Sequence, residues 1–120
     1  MDALTADGAA AAATFAIEVL NFAAASGDPA PWRAVSAPTC RMCSAFADDI
    51  VSAGPNPASP LTVTAASGRE VEAGRLYSAE LTVTQPASPG GDVPAGTFIF
   101  DVALGHADDW VVEAIDVHER

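Results

Sequence analysis

Apolar positions recur at helical spacing in the first 54 residues and alternate with polar ones after residue 60, so the chain divides into a helical half and a strand half. Phe15, Val19 and Phe22 fall at i, i+4 and i+7, and Ala12, Ala16, Leu20 and Ala23 widen that stripe. This spacing predicts an amphipathic helix over 5–26, with Thr5 or Asp7 as its cap and Gly27 just past its end. Asp28-Pro29 reads as a second cap with proline at the first helical position, opening a short helix over 29–35 that carries Trp32. Pro38 breaks the chain again. Thr39 is then expected to cap a third helix over 40–53, in which Met42, Phe46, Ile50 and Ala53 form the apolar face and Gly54 the stop.

Beyond the Pro/Ser run from Pro55 to Pro60, β-branched and aromatic residues alternate with polar ones. Strands are predicted over 61–66, 75–84, 96–104 and 110–118, with Ser67-Gly68 as a turn and a short extension at 70–72. Irregular loops are expected over 85–95 and 105–109. Tyr77, Ala79, Leu81 and Val83 share one face of their strand, and Phe98, Phe100, Val102 and Leu104 share one face of theirs. In the last strand the residues at both phases are mixed, so neither face stands out. No long helical segment separates the strands, which disfavours parallel crossovers and predicts an antiparallel meander. The fold class is α+β: three N-terminal helices on one face of a curved sheet of about four strands, in a single domain over 1–120.

Half of the 120 residues are apolar, enough for a chain of this length to bury a core, but alanine and valine dominate. The eight aromatics, Phe15, Phe22, Trp32, Phe46, Tyr77, Phe98, Phe100 and Trp110, are the expected core anchors. Sixteen carboxylates oppose five arginines and no lysine, a formal net charge of -11. Such a field repels phosphate backbones and anionic head groups, which argues against nucleic-acid and membrane-surface binding. The residues present include no export signal, and the alanine-rich stretch from Ala9 to Ala25 reads as too short and too polar to span a bilayer.

Several features together carry a family resemblance. They are Leu20-Asn21-Phe22-Ala23-Ala24-Ala25-Ser26-Gly27-Asp28, the Trp32 to Pro38 segment, Cys40-Arg41-Met42-Cys43, and Asp109-Trp110-Val111-Val112 opening the last strand. In these the chain resembles the NTF2-like (cystatin-like) superfold, and within it an uncharacterised family of actinobacterial lipoprotein domains with an N-x-A-x-x-x-G-D and C-x-x-C pattern. The resemblance implies an extracellular domain, anchored to the cell envelope by a lipid outside these residues, with no known enzyme activity. It also implies that enzymes of the superfold, where they occur, work between sheet and long helix with an Asp, His or Tyr.

Cys40 and Cys43 lie at i and i+3, close enough to bridge. A structural disulfide is favoured over a redox centre, because no strand precedes the pair as a thioredoxin-type motif requires. Free thiols and metal ligation remain as alternatives. His106 and His118 follow Cys43 by 63 and 75 positions, unlike a compact zinc module, so no metal is expected. Asp48, Asp49, Asp108 and Asp109 lack the alternating oxygen spacing of a calcium loop. The candidates for acid or base chemistry are Tyr77, Asp101, Asp116 and His118, with Asp101 predicted outside the main core. Trp32, Tyr77 and Trp110 are candidate ligand contacts, Trp32 being favoured as a plug for the open end of the sheet.

No nucleophile motif or phosphate loop is present. The first expectation is therefore a non-catalytic exported domain, without cofactor, binding a protein partner or small ligand through the sheet or the cavity beneath the helices. The alternative is an isomerase or dehydratase acting on a small apolar substrate, and the third reading a thiol redox protein. A homodimer through the outer face of the sheet is a further expectation.

Overall fold

The computed structural model describes residues 5–55, 60–87, 94–106 and 109–120. Parts of the Pro55 to Pro60 run, of the loop over 85–95 and of the turn over 105–109 lie outside the described residues, as does Asp108. Three helices, α1 (Ala6–Ser26), α2 (Ala30–Val35) and α3 (Arg41–Ala53), precede four strands, β1 (Thr62–Glu72), β2 (Leu76–Gln85), β3 (Gly96–His106) and β4 (Trp110–Glu119). The strands pair antiparallel in the order β1-β2-β3-β4, the meander expected of chain neighbours without crossovers. α1 packs over β1 and β2, α3 against β4, and α2 bridges the two helices.

The buried face of the sheet follows the alternation in β2 and β3. Tyr77, Ala79, Leu81 and Val83 of β2 and Phe100, Val102 and Leu104 of β3 are buried, while Asp101 and Ile99 stand on the opposite face. β4 departs from simple alternation. Ala103 pairs with Ala114 but Leu104 pairs with Val112, so Glu113 is an extra residue in a β-bulge. Val112 therefore points inward before the bulge and Ile115 after it, although they differ by three positions. The bulge is why neither phase of this strand read cleanly as a core face, and it turns Asp116 and His118 outward.

β1 is one continuous strand of 11 residues, where a strand over 61–66, a Ser67-Gly68 turn and an extension had been expected. Gly68 pairs with Ala79 on the inner face, and a Cβ there would overlap the Ala6 carbonyl of α1. Its glycine serves a close approach of helix to strand rather than a turn.

α1 is rotated from the expected stripe. Its buried residues are Gly8, Ala9, Ala12, Ala13, Ala16, Ile17, Leu20 and Ala23, whereas Phe15 is 43% and Phe22 64% exposed. Small side chains face the sheet because only they let the helix axis come this close, and the phenylalanines are displaced to the flank. α1 is also long and apolar enough to cross a membrane by length and composition, which corrects the reading of that stretch as too short and polar. Its small-residue face is instead packed on the sheet. Phe15 and Phe22 thus drop out as core anchors, while Trp32, Tyr77 and Phe100 are buried and Phe46, Phe98 and Trp110 pack against the core.

The caps are partly those expected. Thr5 accepts from the Gly8 N–H at 3.0 Å, and Gly27 ends α1 in the left-handed region at φ 75°. Asp28 accepts from the Ala30 N–H at 3.0 Å, one residue from where a side-chain cap of α2 would act. The cap of α3 is Cys40 rather than Thr39: its Sγ accepts from the Cys43 N–H at 3.2 Å. After α2, the Ala37 N–H donates to the Val112 carbonyl at 2.8 Å, covering the free edge of β4.

Candidate functional site

Asn21, Ala23, Gly27, Cys40 and Cys43, among the residues that carry the resemblance, have structural work. Asn21 donates through Nδ2 to the Leu61 carbonyl at 2.8 Å and accepts at Oδ1 from the Leu61 N–H at 2.9 Å, pinning the start of β1 to α1. Two such bonds contribute about 1 kcal/mol each. Ala23 is fully buried, and a side chain on Gly27 would strike the Pro55 ring and nitrogen. Cys40 and Cys43 form a disulfide with their Cα atoms 5.2 Å apart, both residues almost wholly buried. The bridge closes a four-residue loop, for which chain entropy predicts about 2 kcal/mol of stabilisation. Cys40 shares with redox cysteines its place at a helix N-terminus, but burial withholds both sulfurs from attack by an external thiolate, which favours a structural bridge. With both cysteines bridged, neither is available to a metal.

Beneath the helices lies an apolar cleft of about 410 Å³ between α1, α3 and the outer ends of β3 and β4. Leu20 and Ala24 of α1, Met42, Phe46 and Ile50 of α3, and Phe98, Phe100 and Val117 of the sheet line it. Its volume falls within the range of small-molecule sites. Phe46 stacks on Phe100 with ring centroids 6.4 Å apart, which gives the cleft an aromatic floor. Of its polar linings, Asn21 is already committed to Leu61, Gln85 is half-buried at the end of β2, and Asp49 is exposed. A second, smaller hollow of about 200 Å³ lies between α1, α2 and the start of β4, lined among others by Phe15, Val35, Asp109 and Trp110.

None of the acid-base candidates lines the large cleft. Tyr77 is buried on the inner face of the sheet, where its hydroxyl donates to Glu70 Oε2 at 3.3 Å and accepts from the Gly74 N–H at 3.2 Å. It also meets the Trp110 ring edge-on at 5.1 Å, and Trp110 in turn meets His106 at 5.0 Å. Asp101, Asp116 and His118 do come together, but on the opposite face. His118 Nδ1 stands 3.7 Å from Asp101 Oδ2 and 4.0 Å from Asp116 Oδ2, with all three side chains substantially solvent-exposed.

Trp32, the remaining ligand candidate, is fully buried and donates through Nε1 to the Cys43 carbonyl at 2.9 Å. Asp48 is exposed and lies 3.9 Å from Arg33, an ion pair of little energetic weight at that exposure. The sequence reading missed Met42, Phe98 and Val117 as cleft residues. In the sequence Met42 and Phe98 read as members of the apolar faces of their elements and Val117 sits on a mixed face, and a partly filled groove and a filled core have the same periodicity.

A model of a family of unknown function (DUF6318) matches residues 1–88, well over half of the chain, and the chain belongs to that family. No curated protein matches it. Among solved structures, the fold is shared with a calcium/calmodulin dependent protein kinase II association domain from Xanthomonas campestris. The TM-score is 0.59 at 12% sequence identity, over 86% of this chain and 81% of that one. At this identity the likeness speaks for the fold alone, an NTF2-like arrangement of helices on a meander sheet.

Proposed function

Starting from membership of a family whose activity is unassigned, we propose that this domain binds a small, uncharged apolar molecule in the cleft between α1, α3 and the sheet, without transforming it. The observation that carries this reading is the composition of the cleft: aromatic and aliphatic walls, with a single carboxylate, the exposed Asp49, among its lining residues. A net charge of -11 disfavours anionic amphiphiles such as fatty acids. An isomerase or dehydratase would need its acid and base in the cleft, and the four candidates for that chemistry line other parts of the molecule. The binding reading therefore has the stronger support.

An uncharged solvatochromic dye such as Nile red tests it. Binding to the wild-type chain at one site is expected, with at least a tenfold weaker Kd for Ala24→Trp, which fills the cleft from α1. A fatty acid should compete more weakly than the corresponding fatty alcohol. Absence of dye binding, or equal binding by a folded Ala24→Trp variant, would sink the proposal.

We further place the domain outside the cytoplasm, tethered by a lipid beyond these residues, as the resemblance to lipoprotein domains implies. The Cys40–Cys43 bridge supports this, since disulfides persist chiefly in oxidising compartments. Protein taken from its native cells directly into a denaturing solution of an alkylating agent should show no modified cysteine by intact mass, whereas two alkylated thiols would refute the assignment.

A further inference from the structure

We propose that Asp101, Asp116 and His118 form a binding site for a divalent transition cation of the Zn²⁺, Ni²⁺ and Cu²⁺ group, on the sheet face that the helices leave open. The three side chains are assembled by backbone register. Asp116 and His118 are two apart on β4 and share a face, and Asp101 of β3 pairs directly with Asp116. His118 pairs with Ile99, which sets it diagonally from Asp101 on the same face. The β-bulge at Glu113 sets the phase that directs this pair of β4 residues outward.

The ligand atoms of the three residues all lie within 4.8 Å of one another. A tetrahedral cation with bonds of about 2.1 Å spaces its ligands about 3.4 Å apart, so side-chain rotation alone closes the site. One imidazole and two carboxylates suit borderline cations. They fall short of the six to eight oxygens that Ca²⁺ takes, and Mg²⁺ prefers an all-oxygen shell.

A second observation is independent of those distances. Glu80 of β2 pairs directly with Asp101, so Glu80, Asp101 and Asp116 form a row of carboxylates across three adjacent strands. Glu80 and Asp101 also line one polar hollow on this face. Like charges directly opposed across strands destabilise a sheet, and two successive opposed pairs compound the cost. A dication held by Asp101, Asp116 and His118 removes that repulsion at its centre and is neutralised by two of the carboxylates. Arg69, which lines the same hollow, brings one positive charge to the Glu80 end of the row, and a protonated His118 would bring one to Asp101 and Asp116, where a dication brings two. Three protein ligands leave the remaining coordination positions to water.

Calorimetric titration of the full chain with ZnCl₂ in a non-coordinating buffer decides the matter. One site per chain is expected, weakened at least tenfold in His118→Ala and in Asp101→Asn. The His106→Ala chain should bind like the wild type, and CaCl₂ or MgCl₂ at equal concentration should give no comparable heat. The altered side chains are exposed, so circular dichroism should find both variants folded with melting temperatures within a few degrees of the parent. Titration of the His118 imidazole resonances by Zn²⁺ gives a second readout. No saturable binding, or binding unchanged in His118→Ala, would overturn the site and leave only an ion pair between His118 and its carboxylates.

Discussion

Replacing Gly68 with leucine is expected to destabilise the domain by about 3 kcal/mol or more, with Gly68→Ala falling between that variant and the parent. The reason lies in how closely α1 sits on β1. A Cβ at this position would overlap the Ala6 carbonyl and stand 3.2 Å from the Ala10 nitrogen, both helix backbone atoms that cannot rotate aside. Accommodation therefore requires moving the N-terminal half of α1, whose contact with the sheet runs through Gly8, Ala9, Ala12, Ala13 and Ala16. A shift there loosens a whole row of small-residue contacts together. For a domain of this size about 1 kcal/mol corresponds to roughly 4 °C in melting temperature, so the leucine variant should melt about 12 °C lower. Urea unfolding by circular dichroism measures it. A Gly68→Leu chain within 1 kcal/mol of the parent would mean that the strand and helix are not in backbone contact.

The same close approach explains where the sequence could and could not be read. β2 and β3 lie at the centre of the sheet with one face covered, so Tyr77, Ala79, Leu81 and Val83, and Phe100, Val102 and Leu104, alternate strictly and their orientation was legible. α1 inverted the usual rule that aromatics mark the buried face, because its contact line is mostly alanine and glycine, with Ile17 and Leu20 the only larger buried side chains among its described residues. Gly68 looked like a turn because glycine in isolation signals backbone freedom, and its role as a gap for a neighbouring helix depends on residues 58 and 62 positions away, Ala10 and Ala6. Cys40 took the cap of α3 from Thr39 because the bridge to Cys43 orients its sulfur toward the first turn of the helix. The convergence of Asp101, Asp116 and His118 was likewise hidden. It depends on a one-residue bulge at Glu113, which no alternation pattern predicts.

The second large effect is expected at Trp32. Trp32→Ala should cost about 4 kcal/mol, within the range for deleting a buried aromatic, and Trp32→Phe about half as much. Trp32 is the largest fully buried side chain, yet it stands on a helix of only six residues that could not persist without tertiary contacts. Its indole meets the Phe46 ring at 6.1 Å and donates to the Cys43 carbonyl at 2.9 Å, so one side chain ties α2 to the disulfide-bearing turn of α3. Phenylalanine keeps most of the packing and loses the donated hydrogen bond, which contributes about 1 kcal/mol, together with part of the ring volume. Alanine loses both and leaves a hole beside Phe46. Because Phe46 also forms the floor of the apolar cleft with Phe100, its collapse into that hole should weaken dye binding in Trp32→Ala more than in Trp32→Phe. Parallel urea unfolding and dye titration of the two variants test both links. A loss below 1 kcal/mol for Trp32→Ala would show that Trp32 is not the plug joining α2 to α3, and unchanged dye affinity in that variant would separate the plug from the cleft.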